Sequence, residues 1–335
     1  MTTATEVTQG LAPRAFGSSF APAQLIGAVA IVLGAAIPPA MSSEPFLLVL
    51  ASQAIIAAIV ALSLDLLVGN TGLLSFGHAA WYGAGGYAAG LLAKSVTPEM
   101  LIILPLTVAL AAVLSAVIGS ILVRQIGKTF AILTLALSQI FFSLVFVASK
   151  WTGGEDGLQG VPAPTLAGLN VVSQAAWYWI LYAVLIAVLF AILYLRRSPL
   201  GRAWLAIKSN TERARFIGIA VSRLKLLAYV LSSATAALAG GLFTLFNGAV
   251  APDTLSWFES GKILMYVVLG GVGTIIGPVF GAALFTVAEH YVSSFTDAWL
   301  IYFGGLFVIV VIVAPGGLFG LASVFRERRW RRIAP

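Results

Sequence analysis

Two runs without a single charged residue, 101–123 and 299–314, set the first limit on what this chain can fold into. Each is near the roughly 20 apolar residues that carry a helix across a bilayer. Of the 335 residues only 9% are charged and 60% are hydrophobic, whereas a soluble domain carries about a quarter charged residues. Too few charges remain to cover a water-facing surface. The chain therefore reads as an all-α, polytopic integral membrane protein, and a soluble globular enzyme is excluded.

Apolar runs and turn signals mark about ten transmembrane helices, at 24–41, 46–68, 78–93, 101–123, 130–149, 174–195, 224–247, 258–273, 278–294 and 297–314. The third is short and Gly-rich, and a tight Gly-Pro turn separates the eighth from the ninth. Residues 1–22 read as a disordered cytosolic tail, lacking the apolar centre and small-residue cleavage site of a secretory signal. Residues 23–321 form one transmembrane domain, and 322–335 a basic cytosolic tail. With the N-terminus inside, the inner side receives Arg14, Arg124, Lys128, the cluster from Arg196 to Lys225, and the arginines of the C-terminal tail. Lys94, Lys150 and Lys262 fall on or near the outer side, with Glu44, Glu99, Glu155, Asp156, Asp253, Glu259 and Asp297. That asymmetry obeys the positive-inside rule and places both termini in the cytosol. The formal charge of +7 is thus orientation, not a nucleic-acid footprint.

Several chemistries are excluded. With no cysteine there is no disulfide, zinc-thiolate or iron–sulfur framework. The two histidines, His78 and His290, are too few for an imidazole cluster. No G-x-x-x-x-G-K-[ST] phosphate loop and no H-E-x-x-H or G-x-S-x-G motif occurs. The run Gly83 to Gly90 has the wrong spacing for a dinucleotide site and suits close helix packing. Catalysis, a bound metal and a bound cofactor are not expected of this chain.

Three segments carry more information. Gly69-Asn-Thr-Gly72, followed by Ser75-Phe-Gly-His78, reads as irregular backbone close to the membrane. Such backbone is tolerated only under protein or water, and transporters place substrate or gating elements there. A plain turn with His78 as a cap is the alternative. Leu269-Gly-Gly-Val-Gly-Thr to Gly277-Pro278 is a second break. On the inner side, Ser198-Pro199 starts a helix. Asn210-Thr-Glu212 breaks and recaps it, and a second short helix ends at Gly218. Asp65 and Glu289 lie in or near spans, where a charge costs on the order of 2.5–3.5 kcal/mol at the bilayer centre. Asp65 is either hydrated or paired with an arginine. Neither belongs to a carboxylate chain of the kind a proton relay needs.

At 66–87 the residues Leu-Leu-Val-Gly-Asn-Thr-Gly-Leu-Leu-Ser-Phe-Gly-His-Ala-Ala-Trp-Tyr-Gly-Ala-Gly-Gly-Tyr resemble the signature of the branched-chain amino-acid (Liv-type) ABC importer permeases. Thr152-Gly-Gly-Glu-Asp-Gly to Pro162, Ser198-Pro-Leu-Gly-Arg-Ala to Gly218-Ile219, and Leu269-Gly-Gly-Val-Gly-Thr to Pro278 are similar to the same family in the same order. The likeness covers 46–321 and is closer to the M-type subunit than to the H-type.

The resemblance implies a type II-like importer permease in a bacterial inner membrane, working by alternating access. It would pair with a second homologous permease, two cytosolic ATP-binding-cassette ATPases and a periplasmic solute-binding protein, with ATP and Mg bound on the ATPases. The inner loop 196–225 would be the coupling element, with Gly201, Arg202, Trp204, Ala206, Ile207, Lys208, Asn210, Arg213, Arg215, Phe216 and Gly218. In that reading Trp204, Ile207 and Phe216 fill an ATPase groove. The broken polar segment places the translocation path at Asp65, Asn70, Ser75, His78 and Tyr82. In the outer loop 150–173, Glu155 and Asp156 would seat the binding protein, a more acidic pair than the family commonly carries there. Urea, short amides or aromatic acids are alternative solutes. An ion-coupled secondary transporter acting alone is the alternative mechanism, resting on Asp65, Glu289 and His290.

Overall fold

The computed structural model describes residues 45–125, 127–296 and, beyond them, 298, 301–305, 308, 312 and 317. The first expected span and both tails lie outside the described residues, and the tenth span lies largely outside them. The helices in chain order are α1 (Pro45–Thr71), α2 (His78–Ser95), α3 (Met100–Leu122), α4 (Lys128–Val147), the single-turn α5 (Ser149–Thr152), α6 (Gln174–Arg197), α7 (Pro199–Ser209), α8 (Thr211–Phe216), α9 (Val221–Asn247), α10 (Trp257–Gly270) and α11 (Ile276–Phe295). Five of them, α1, α3, α4, α6 and α9, are long and apolar enough to cross a membrane. One small antiparallel hairpin, β1 (Thr165–Leu166) with β2 (Leu169–Asn170), departs from the all-α expectation.

The helices are arranged inside-out relative to a soluble bundle. On α3 the inward stripe includes Thr107, Ala111, Ser115 and Gly119, while Val113, Val117 and Ile121 stand outward. A soluble protein of this kind would expose a large continuous apolar surface to water. In a bilayer that surface meets lipid, and small residues inside let helices approach closely.

The most buried span is α1, which packs against α6, α9, α10 and α11. The pair α2–α9 approaches backbone to backbone. A Cβ added to Gly240 would run into the Tyr82 carbonyl, and one added to Gly85 into the backbone of Ala237. Trp81 fixes the pair by donating Nε1–H to the Tyr229 hydroxyl at 2.9 Å.

The first break lies further along the chain than the sequence suggested. Gly69, Asn70 and Thr71 are the last turn of α1. Thr71 Oγ1 donates back to the Leu67 carbonyl at 2.7 Å, and Gly72 N–H donates to the Val68 carbonyl. Gly72, at φ +74°, then ends the helix. The non-helical stretch is 72–77, and it turns back along α1. His78 bonds Ser63, which lies two turns before the end of α1, about 12 Å along its axis. Phe76 N–H meets Thr134 Oγ1 of α4 at 3.1 Å on the way. The eighth expected span is short: α10 has 14 residues, about 21 Å, against a bilayer core of about 30 Å, a mismatch that a bilayer meets by local thinning. The second break joins it to α11, whose first turn holds Gly277 and Pro278, where proline costs the helix no hydrogen bond.

Replacing Gly240 by Val overpacks the α2–α9 contact. The expected result is a loss of about 3 kcal/mol, read as a lower melting temperature in detergent, with Gly261→Ala, at an open position, unchanged.

Candidate coupling and translocation site

Four elements converge where α1 ends. Asp65 Oδ2 accepts from Arg196 Nη2 at 2.6 Å, and Asp65 Oδ1 accepts from the backbone N–H of Gly273 at 2.6 Å. Arg196 Nη1 in turn donates to the Gly273 carbonyl at 2.9 Å. The three residues close a ring, with both backbone groups of Gly273 held, one by the carboxylate and one by the guanidinium. Gly273 sits at φ +84°, a conformation glycine takes without strain. Asp65 is 2% exposed at its side chain and Arg196 15%. The arginine partner left open by the sequence is therefore Arg196, in the last turn of α6. The 271–275 connection thus meets the last turns of α1, where a Cβ added to Gly69 would lie 2.9 Å from the Gly273 Cα, and the 72–77 stretch leaves α1 three residues further on.

The short helices stand on the same end. Ser198 caps α7 by accepting from Gly201 N–H at 3.4 Å, and Asn210 caps α8 by accepting from Arg213 N–H at 2.9 Å. Gly201 is fixed by crowding, since a Cβ there would meet the Leu195 and Arg196 carbonyls. Lys208 reaches inward and donates to the Gly69 carbonyl at 2.8 Å. Burial of its tip holds the Lys208 amine below the usual lysine range; Asp65 pulls it the other way and Arg196 adds to the lowering.

Trp204 and Ile207 require a correction. Both are buried within this chain, and Trp204 Nε1–H donates to the Leu224 carbonyl at 2.8 Å. Trp204 anchors α7 to α9, and with both side chains buried neither is left to fill a partner's groove. The outward apolar residues are Leu205, Phe216 at 88% exposure and Ile217 at 70%. Arg202, Arg213, Arg215, Asn210 and Gly218 are exposed beside them, and Ala206 is half-buried.

The five path candidates are all enclosed by this chain rather than spread over one open face. Asp65 belongs to the ring, and Asn70 lies five residues on with an unpartnered Nδ2. Ser75 accepts from Gly77 N–H. Tyr82 packs its ring against Phe243. His78 Nε2 lies 2.9 Å from Ser63 Oγ and 3.3 Å from Ser232 Oγ. Those hydroxyls already donate, to the carbonyls of Val60 and Ser63. Nε2 therefore carries the proton, an assignment made from the network, and Nδ1 is left as a buried acceptor without a partner.

Sequence reasoning passed over a second charged group. Lys262 lies 3.1 Å from Glu259 and 3.4 Å from Glu289. His290 packs against Phe46 with centroids 4.9 Å apart and the rings tilted by 49°. Asp65 and Glu289, the carboxylates on which ion coupling would rest, are thus both engaged in ion pairs. Glu259 and Lys262 stand at i, i+3 spacing on α10, a local signal the sequence does carry, whereas Glu289 comes from α11 and left no motif to find.

The family model described as "Branched-chain amino acid transport system / permease component" matches residues 46–315. The chain belongs to this family. It is 32% identical to the high-affinity branched-chain amino acid transport system permease protein LivM of Salmonella typhimurium, over 80% of this chain and 69% of that protein. LivM of Escherichia coli is 31% identical over the same shares. LivH of Salmonella typhimurium is 25% identical over 80% of this chain and 92% of that protein. No solved structure matches the chain. A permease of branched-chain amino acid transport, built of several apolar helices, is thereby shown, and relatives of this type are transport subunits rather than enzymes.

At the other end of the permease, Glu155 and Asp156 are exposed in a one-turn 3-10 helix. Leu158 and Val161 hold that loop to 248–250, Leu158 and Val250 exchanging backbone hydrogen bonds at 2.9 and 3.0 Å and Val161 N–H donating to the Gly248 carbonyl at 2.9 Å. Glu99, noticed in the sequence only for its sign, organises the hairpin. Its carboxylate accepts from the Thr165 hydroxyl and from the backbone N–H groups of Ala167 and Gly168. The Thr165 bond, then those amides, hold the Glu99 carboxyl below the usual range. A carboxylate held low stabilises above its unfolded pKa and loses that effect as pH falls through the lowered value. Exchange protection of the Ala167 and Gly168 amides is therefore expected at neutral pH and lost on acidification. Glu99→Gln should show weak protection with no pH dependence across that window.

Proposed function

We propose that the chain is the transmembrane subunit of an ATP-binding-cassette importer that moves branched-chain amino acids, or a related small solute, into a bacterial cytoplasm. In this reading it lies in the inner membrane with about ten spans, both termini cytosolic, as a single permease domain over 23–321. It pairs with a second homologous permease. Two cytosolic ATPases hold ATP and Mg, and a periplasmic binding protein delivers the solute.

The observation that carries the reading is the exposed face of α7 and α8. A phenylalanine 88% exposed, next to an isoleucine 70% exposed and flanked by Arg213 and Arg215, is costly to leave in water. It stands on helices fixed to the body by Trp204 and Lys208. Such a rigid, apolar and basic knob suits the groove of a cytosolic partner. The chain itself has no phosphate loop, so the energy source sits elsewhere. Alternating access then follows from two states of the membrane dimer, biased outside by the binding protein and inside by ATP. Solute choice largely belongs to the binding protein, with Glu155 and Asp156 as its docking surface on this chain.

The test is uptake of labelled leucine by cells carrying the full transporter. Phe216→Asp, at a position with no packing role, should lower uptake roughly tenfold or more while membrane levels of the chain stay the same. Unchanged uptake overturns the assignment of α7–α8. Reporter fusions at residue 1 and at the C-terminus should both report the cytosolic side, and an outer-side signal at either end removes a span.

A further inference from the structure

We propose that the ring of Asp65, Arg196 and Gly273, together with Lys208 on Gly69, is a transmission joint that makes α7–α8, the end of α1 and the 271–275 connection move as one body. The four are positioning residues, and the inference rests on α7–α8 being the ATPase-facing surface.

The geometry is closed rather than merely paired. One residue, Gly273, has its N–H held by Asp65 and its carbonyl by Arg196. The ring shuts against bare backbone: a Cβ on Gly69 would lie 2.7 Å from Asp65 Oδ1, 2.9 Å from the Gly273 Cα and 3.1 Å from Arg196 Nη2. Neutralising Asp65 needed Arg196 alone; the bonds to both ends of Gly273 add a third element that charge balance does not require.

Lys208 completes the joint from the α7 side. The last carbonyls of a helix lack intrahelical donors and carry partial negative charge. Lys208 supplies a cation to one of them, Gly69, and its stem packs against Gly72, whose added Cβ would lie 3.3 Å from Lys208 Cγ. A displacement of α7 is passed through these hydrogen bonds to the ends of both breaks. One break leads within six residues to His78 and α2, the other within three to α11. Interior packing is too stiff to absorb such a push locally.

The experiment uses the whole transporter with its native partners, purified and reconstituted in proteoliposomes, with labelled leucine as the probe. Leucine moved per ATP hydrolysed should fall about tenfold in Lys208→Met, within the usual span of a coupling energy, and Lys208→Arg should restore most of it. Lys208 is exposed over much of its surface, so neither variant removes core packing. A second readout uses the absence of native cysteine: spin labels at Glu212→Cys, exposed on α8, and Val272→Cys. The distance between them should be the same in nucleotide-free and nucleotide-trapped wild type, and should shift between those states in Lys208→Met. An unchanged leucine-to-ATP ratio in Lys208→Met, or a wild-type distance that changes on trapping, overturns the joint. Wild type without ATP-dependent leucine uptake instead overturns the reading on which the joint rests.

Discussion

A carboxylate inside an apolar helix bundle is tolerable only when its partners are brought to it, and in this chain Asp65 dictates much of what surrounds it. Arg196 must end α6 beside α1. The 271–275 connection between α10 and α11 must present a bare amide. Gly69 must lack a side chain for the ring to close. Lys208 then brings α7 onto the same spot. One buried acid thus ties together the last turns of α1, the end of α6 and the 271–275 connection, with α7 held to the same spot by Lys208.

The remaining bundle follows from an older constraint. With lipid outside there is no hydrophobic drive to sort apolar side chains inward, so small and weakly polar residues mark the contacts. Gly85 and Gly240 let α2 and α9 meet backbone to backbone. Thr107, Ser115 and Gly119 turn α3 inward while its valines face out. Among the buried hydroxyls, Thr71 donates to the preceding turn of its own helix and Ser232 to a neighbouring one. His78, held at Ser63 by its protonated Nε2, shows the same economy at the start of α2.

Much of this was legible in the sequence because membranes simplify the code. Length and lack of charge mark α1, α3, α4, α6 and α9. Ser198-Pro199, Asn210 and Gly218 mark both short helices by their caps, and the four family motifs identify the permease. What was not legible is three-dimensional pairing. Thr71 looked like part of a break because Gly-Asn-Thr-Gly is turn composition; its back-bond to Leu67 is invisible without the fold. Trp204 and Ile207 looked like an exposed apolar face since an amphipathic helix shows its stripe without showing what covers it. Glu99 and Glu289 gave only the signs of their charges, and their partners lie 27 to 69 residues away.

The account stands or falls on whether this permease works as one part of an ATP-driven assembly. The most direct measurement is purification of the chain from its native membranes in mild detergent, with the composition read by mass spectrometry. The account predicts a second homologous permease and two ATP-binding-cassette ATPases in fixed proportion with it. Recovery of the chain alone, in a form that still transports solute, would contradict it.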